Sequence, residues 1–204
     1  MATRERARSG NSKRGSSNGG VFDFGGQGGV LAAAAVAGAA VGLAANFGRK
    51  ALVQGMSAAA GDWADALAAE HRLVLAHFDA LEATEDTQTW KRAHCLTKIK
   101  NALGKHALEE ENVIYPALRD KGEIAAADTL NSEHGYVKTY LYELENMPKE
   151  GSAFLAKARE FRAMLEAHIR EEEDEIFPAL KARLSEEENG KLSWAMNREG
   201  MKLA

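Results

Sequence analysis

The sequence predicts an all-α protein: an up-down-up-down four-helix bundle followed by a short C-terminal helix and preceded by a Gly/Ala-rich arm. Three observations point there. From Asp62 onward, apolar residues recur at steps of three and four, the period of one helix face. Only three prolines occur in 204 residues, and β-branched runs are few, which favours helix over sheet. The chain also repeats itself. Residues 106–118, HALEEENVIYPAL, return as residues 168–180, HIREEEDEIFPAL, and residues 70–82, EHRLVLAHFDALE, return as residues 133–145, EHGYVKTYLYELE. The offsets, 62 and 63, describe two helical hairpins of related sequence.

Taken in order, residues 1–29 are rich in Arg, Ser and Gly, hold nothing apolar enough to build a core, and read as disordered. Residues 30–47, VLAAAAVAGAAVGLAANF, are uncharged and flanked by basic residues. Their length is near the lower limit of a membrane span, but Ala and Gly are weakly hydrophobic. Three readings stay open for them: a loose Ala/Gly helix or arm in the cytoplasm, a membrane-associated or glycine-packed segment, and a cleaved signal. Residues 1–61 carry a net charge of +5 and residues 62–204 a net charge of −9. An acidic domain gives no reason to expect nucleic acid as a partner. The single Cys95 excludes an internal disulfide framework and a Cys-rich zinc site, and fits a reducing, cytoplasmic setting.

The bundle proper is assigned to residues 62–184. Its first helix starts near Asp62, a good N-cap, and runs to about Ala83 with Trp63, Leu67, His71, Val74, Phe78 and Leu81 inward. The second runs from about Thr87 to Leu118, with Trp90, Ala93, Leu96, Leu103, His106, Glu110, Val113 and Ala117 inward, and Gly122 breaks the chain after it. The third, from about Glu123 to Met147, turns Leu130, His134, Val137, Leu141 and Leu144 inward before Pro148 and Gly151. The fourth, from about Ser152 to Leu184, turns Ala158, Phe161, Leu165, His168, Glu172, Ile176 and Ala179 inward. Pro116 and Pro178 each remove a backbone donor and should bend the last turns of their helices. Ser185 and Glu188 form a capping box for a short helix in residues 185–204, which brings Leu192 and Met196 to the bundle as a lid or edge.

Four histidines and two glutamates thus stand on core faces. His106 and Glu110, like His168 and Glu172, are four apart, about 40° around the helix axis, so each pair points one way. A lone core histidine is most often just a hydrogen-bonded core residue. An ionised carboxylate in a core needs a partner or a cation, and here the whole arrangement occurs twice. A pseudo-twofold association of the hairpins would gather His71, His106, Glu110, His134, His168 and Glu172 in the interior. Six N/O donors without sulfur do not suit a closed zinc site. Two carboxylates flanked by imidazoles suit a pair of iron or manganese ions. His77 and His94 lie beside their stripes without repeat partners and are read as ordinary residues. Glu111, Glu173 and the rest of the acidic runs are read as solvated or as orienting an imidazole. Glu70 and Glu133 are read first as surface residues, with the orienting role as the alternative.

The twice-repeated pattern EH…HxxxEExxx[YF]P-A-L resembles the hemerythrin-like domain, also called the HHE cation-binding domain, over about residues 62–184. The resemblance implies a non-haem di-iron centre, with two iron ions ahead of manganese or zinc. It implies His71, His106, His134 and His168 as ligands and Glu110 and Glu172 as bridging carboxylates. Two departures are visible. Oxygen-carrying members have a second histidine four residues after the third-helix ligand, where this chain has Lys138. They place an aspartate five residues after the fourth-helix histidine, where it has Glu173. The ligand set is closer to the bacterial branch that includes iron-sulfur-cluster repair proteins of nitrosative stress. The cysteine of this chain, however, lies in the second helix. Three functions follow as expectations: binding of dioxygen or nitric oxide for sensing, storage or delivery; an enzyme or iron-handling protein of oxidative and nitrosative stress; and a bundle that metal merely stabilises. The first, a binding protein, is favoured, and whether the chain is an enzyme stays open; no protein partner is named by the sequence.

Overall fold

Each bundle helix begins or ends where local chemistry requires it. In a computed structural model that describes residues 61–203, α1 spans Trp63–Glu82. Its N-cap is Asp62, whose carboxylate accepts from the backbone N–H of Ala64 at 3.0 Å and of Asp65 at 3.3 Å. The second bundle helix is built of α2 (Thr89–Glu109), a π-helical turn (Glu110–Ile114) and α3 (Tyr115–Asp120). Gly122, at φ +88°, ends it in a conformation that disfavours any side chain. The third is α4 (Ile124–Asn146). The fourth is built like the second: α5 (Gly151–Glu171), a π-helical turn (Glu172–Ile176) and α6 (Phe177–Arg183). The last helix, α7 (Glu186–Gly200), starts on the expected capping box of Ser185 and Glu188.

Helices α1, α2, α4 and α5 pack as an antiparallel bundle around two apolar clusters. One contains Phe78, Leu96, Leu103, Leu141, Phe161 and Leu165. The other contains Trp63, Leu67, Tyr115, Leu130, Phe177 and Met196. The α7 helix closes the bundle rather than trailing from it: Met196 is buried, Ser193 Oγ accepts from the Trp63 N–H at 3.0 Å, and Asn189 Oδ1 accepts from the Trp63 indole at 2.9 Å.

The prolines do more than bend their helices. A proline ring collides with the carbonyl four residues back in an α-helix. Here the turn before each proline is widened: the Tyr115 N–H reaches back five residues to the Glu110 carbonyl, and the Phe177 N–H to that of Glu172. One residue is thereby inserted into each stripe, and the inward phase advances. Val113 keeps its expected inward place, but the expected positions beyond it and beyond Glu172 fail. Ala117 is half-buried, Ile176 half-buried and Ala179 exposed, while Tyr115, Leu118, Phe177 and Leu180 take the core.

A second correction falls at the start of α2. Trp90 and Ala93 point outward, Trp90 being 75% exposed and stacked on His94 with ring centroids 5.5 Å apart. Arg92 is buried instead. Its guanidinium donates to Thr84 Oγ1 at 3.0 Å, to the carbonyls of Lys149 and Gly151 at 2.6 and 2.8 Å, and to Asp86 at 2.8 Å. An arginine so fully partnered can occupy a core site that a tryptophan, with one donor, could not satisfy. Residues 1–60, including the segment 30–47, lie outside the described residues. Among the described residues, no helix is long and apolar enough to cross a membrane.

Candidate metal centre

Between the two apolar clusters lies a polar layer. The structure brings His71, His106, Glu110, His134, His168 and Glu172 together there, none more than 3% exposed. Two overlapping groups form. His71, His106, Glu110 and Glu172 offer donor atoms within 4.8 Å of one another, as do Glu110, His134 and His168, so Glu110 belongs to both. Nε2 of His71 and Nε2 of His106 are 2.9 Å apart. Nε2 of His106 and of His134 lie 3.1 and 3.2 Å from Oε2 of Glu110. Glu172 stands 3.4 Å from Nε2 of both His71 and His168. His77 is half-buried and His94 exposed, and neither joins either group.

Behind every imidazole stands a carboxylate. Nδ1 of His106 meets Glu70 at 3.3 Å, and Nδ1 of His168 meets Glu133 at 2.6 Å, each within one hairpin. Nδ1 of His71 meets Glu173 at 2.8 Å, and Nδ1 of His134 meets Glu111 at 3.0 Å, each between hairpins. The four contacts form two pseudo-twofold pairs, Glu70 with Glu133 and Glu111 with Glu173, at the offsets of the sequence repeat. With Nδ1 engaged by a carboxylate, each ring turns Nε2 toward the interior. The surface reading of Glu70 and Glu133 is thus corrected. Glu133 is partly exposed, and Glu70 is buried at 7% exposure because it also receives the ammonium of Lys105.

Three further residues enter the layer. Tyr115 places its hydroxyl 2.9 Å from Nε2 of His134, 3.1 Å from Glu110 and 3.0 Å from Glu172. It gets there by the widened turn, and its mate across the pseudo-twofold is Phe177, which stacks on His71 at 6.3 Å. Lys105 and Glu109 are both buried and paired at 2.8 Å. A lysine flanking an inward histidine and a glutamate preceding another carry no periodic signal.

Electrostatics mark the layer as strained toward a cation. Burial opposes charge on His106, yet Glu110 and Glu70 raise its pKa well above the ordinary value. Burial likewise works against Glu110, and His106 and His134 nevertheless hold its carboxyl well below the usual range. His71 is raised, with burial and His106 opposed by Glu172 and Glu173, and His134 is raised, with burial opposed mainly by Glu110. Burial and the neighbouring Glu70 push Glu109 up to about 8. Without metal the layer is held by shared protons. Even so, Glu110 Oε1, Glu172 Oε2 and His168 Nε2 have no hydrogen-bond partner. Orphaned donors of this kind at the centre of a buried His/Glu set fit a bound cation.

A bundle with buried, carboxylate-backed imidazoles and two inward glutamates is the framework of a metal-binding protein. This chain belongs to the hemerythrin HHE cation-binding domain family, whose model matches residues 63–180. It is 32% identical over 130 residues to an uncharacterized hemerythrin-like protein of Schizosaccharomyces pombe, covering 61% of this chain and 62% of that one. It is 27% identical over 124 residues to a DNA nickase of Nostoc sp., covering 61% of this chain and 35% of that one. The chain therefore spans less than two thirds of the length of either relative. No solved structure matches it.

Proposed function

We propose that the layer holds two iron ions and binds dioxygen or nitric oxide, serving in storage, delivery or sensing of the gas. His71 and His106 would hold one ion and His134 and His168 the other, with Glu110 and Glu172 between them. What supports this reading is the overlap of two buried ligand groups at Glu110, together with the unpartnered oxygens of both glutamates. When bound, iron supplies open coordination positions and electrons for a diatomic ligand. The chain's own residues do the rest. The four outer carboxylates orient the imidazoles, and the apolar clusters on either side exclude water. Zinc fits less well, because the set offers six N/O donors and no sulfur. Nucleic acid is a poor partner for residues 62–204, whose net charge of −9 repels a phosphate backbone.

A second reading, turnover rather than binding, is favoured by Tyr115. Its hydroxyl stands among Glu110, Glu172 and His134, where it can hand a proton to a reacting ligand. One experiment separates the two readings. Metal content is measured on the purified chain, and optical spectra are taken of anaerobically reduced protein before and after oxygen is added. Reversible binding gives an absorption band that disappears on degassing. A single irreversible oxidation excludes carriage, and zinc in place of iron excludes both readings.

A further inference from the structure

The duplicated chain gives each bundle position a mate on the other hairpin, 62 residues on between α2 and α5 and 63 on between α1 and α4. Close to the candidate centre most mates are alike: His106 and His168, Leu103 and Leu165, Val74 and Val137. Among the pairs that differ, four lie on one side. Gly104, Ala107, Lys138 and Leu141 line the space between α2 and α4. Their mates are Glu166, Ile169, Leu75 and Phe78. On the mate side Phe78 and Ile169 are buried in the core and Leu75 packs against it. On the α2–α4 side a glycine, an alanine and a smaller apolar residue leave a cavity of about 430 Å³, floored by His106, His134 and His168.

That volume far exceeds the need of a diatomic gas. A water molecule's share of liquid is about 30 Å³, whereas pockets of roughly 300–1,000 Å³ enclose organic ligands. The walls are carbon: Leu103, Val137, Leu141 and Leu165. Lysines also line it, but each is already neutralised, Lys100 by Glu145 at 2.7 Å and Lys138 by Glu111 at 2.9 Å. An anionic ligand would have to displace these carboxylates, and a cationic one would meet the lysines first. We propose that the cavity between α2 and α4 binds a neutral, apolar organic molecule, seated against the histidines of the centre, and that ligands of the centre enter by this side. The second clause rests on the metal reading above; the first does not.

The test uses the iron-loaded full chain and two probes of one shape, naphthalene-1-methanol and naphthalene-1-sulfonate, titrated by calorimetry. The neutral probe is expected to bind one per chain and the sulfonate about ten-fold or more weaker. Ala107→Ile and Leu141→Phe place bulk like that of the mates in the cavity, and each should weaken the neutral probe about ten-fold or more. Failure of the neutral probe to saturate at one per chain, equal binding of the sulfonate, or undiminished binding in both variants would overturn the site. For the route, saturating neutral probe should slow the appearance of the azide absorption band of oxidised protein about ten-fold or more; an unchanged rate puts the entrance elsewhere. Iron content, measured separately, reports on the metal reading: protein without iron would refute that reading while leaving the titrations valid.

Discussion

If the layer holds iron as proposed, removing the carboxylate behind His168 should weaken its binding by an amount the geometry sets. Glu133 Oε2 lies 2.6 Å from Nδ1 of a histidine that is 3% exposed. Hydrogen bonds to a charged group contribute about 1.5–3 kcal/mol, and loss of such an orienting partner typically costs 10–100-fold in metal affinity. The Glu133 side chain is 29% exposed, so solvent screens part of the interaction and the lower end applies. The expectation for Glu133→Ala is a loss of about ten-fold, or about 1.4 kcal/mol. Glu133→Gln keeps an acceptor oxygen and should lose less. Glu70→Ala should lose more than Glu133→Ala, because it also strips a buried ammonium, Lys105, of one of its two carboxylates. The assay equilibrates each protein with a chelator of known iron affinity at fixed pH and measures the iron retained, with thermal melts to confirm folding. Glu175→Ala, at an exposed position in the acidic run that holds Glu172 and Glu173, removes the same charge and serves as the control. If Glu133→Ala retained as much iron as Glu175→Ala, the carboxylates would be bystanders of packing and the orienting argument would fail.

Further outcomes follow from the same geometry. His106→Ala should lower iron per chain sharply and His77→Ala barely, measured by elemental analysis; equal losses would mean the wrong histidines are assigned. Tyr115→Phe should leave iron content near wild type but remove any steady turnover with peroxide or nitric oxide, and undiminished turnover would take the hydroxyl out of the chemistry. Arg92→Met should destabilise the bundle by about 3–5 kcal/mol in urea unfolding, since it orphans backbone carbonyls that a buried cation now satisfies. In metal-free protein, charged His71, His106 and His134 stabilise the fold below their ordinary value of 6.5, and this is lost as pH rises through their raised folded values. Glu110 acts in the opposite sense, stabilising above 4.5 and losing its contribution as pH falls through its depressed value. Metal-free thermal stability should therefore fall on the alkaline side of neutrality, and a melting temperature that kept rising to about pH 9 would contradict the assignment.

The legible parts of this chain are those whose cause is local or repeated. Asp62 and the Ser185–Glu188 box declare their helix starts by side chains that reach their own backbone. The inward histidines of α1 and α4 sit on an unbroken 3.6-residue period, so periodicity alone places them. The stripes fail where the backbone departs from that period. Val113 and Glu172 are the last residues correctly phased, and the π-helical turns carry Tyr115 and Phe177 into the core in place of Ala117 and Ile176. A signal was present: each repeat has an aromatic directly before a proline six residues after the glutamate, and a proline within a helix requires some local widening or kink. Arg92 had no such signal. Its burial depends on the carbonyls of Lys149 and Gly151, 57 and 59 residues away, which no window of helical periodicity contains.

Duplication explains why the centre exists, and departures from it explain what distinguishes its two halves. The four outer carboxylates and six inward residues obey the repeat, as building two equivalent positions requires. Tyr115 opposite Phe177, and Lys105 opposite Ala167, do not. The Tyr115 hydroxyl reaches His134 and both inward glutamates, whereas Phe177 offers only a ring face to His71. His106, His134 and His168 also line the cavity between α2 and α4, and His71 does not. Both histidines of the His134–His168 side, but only His106 of the other, therefore face the open space, and the Tyr115 hydroxyl stands beside the former. A ligand entering there would meet His106, His134 and His168, with His71 behind them against Phe177. If the layer holds two ions as proposed, the histidines of the two halves would give them unequal access from the cavity, and that inequality is where discrimination between holding a gas and transforming it would arise.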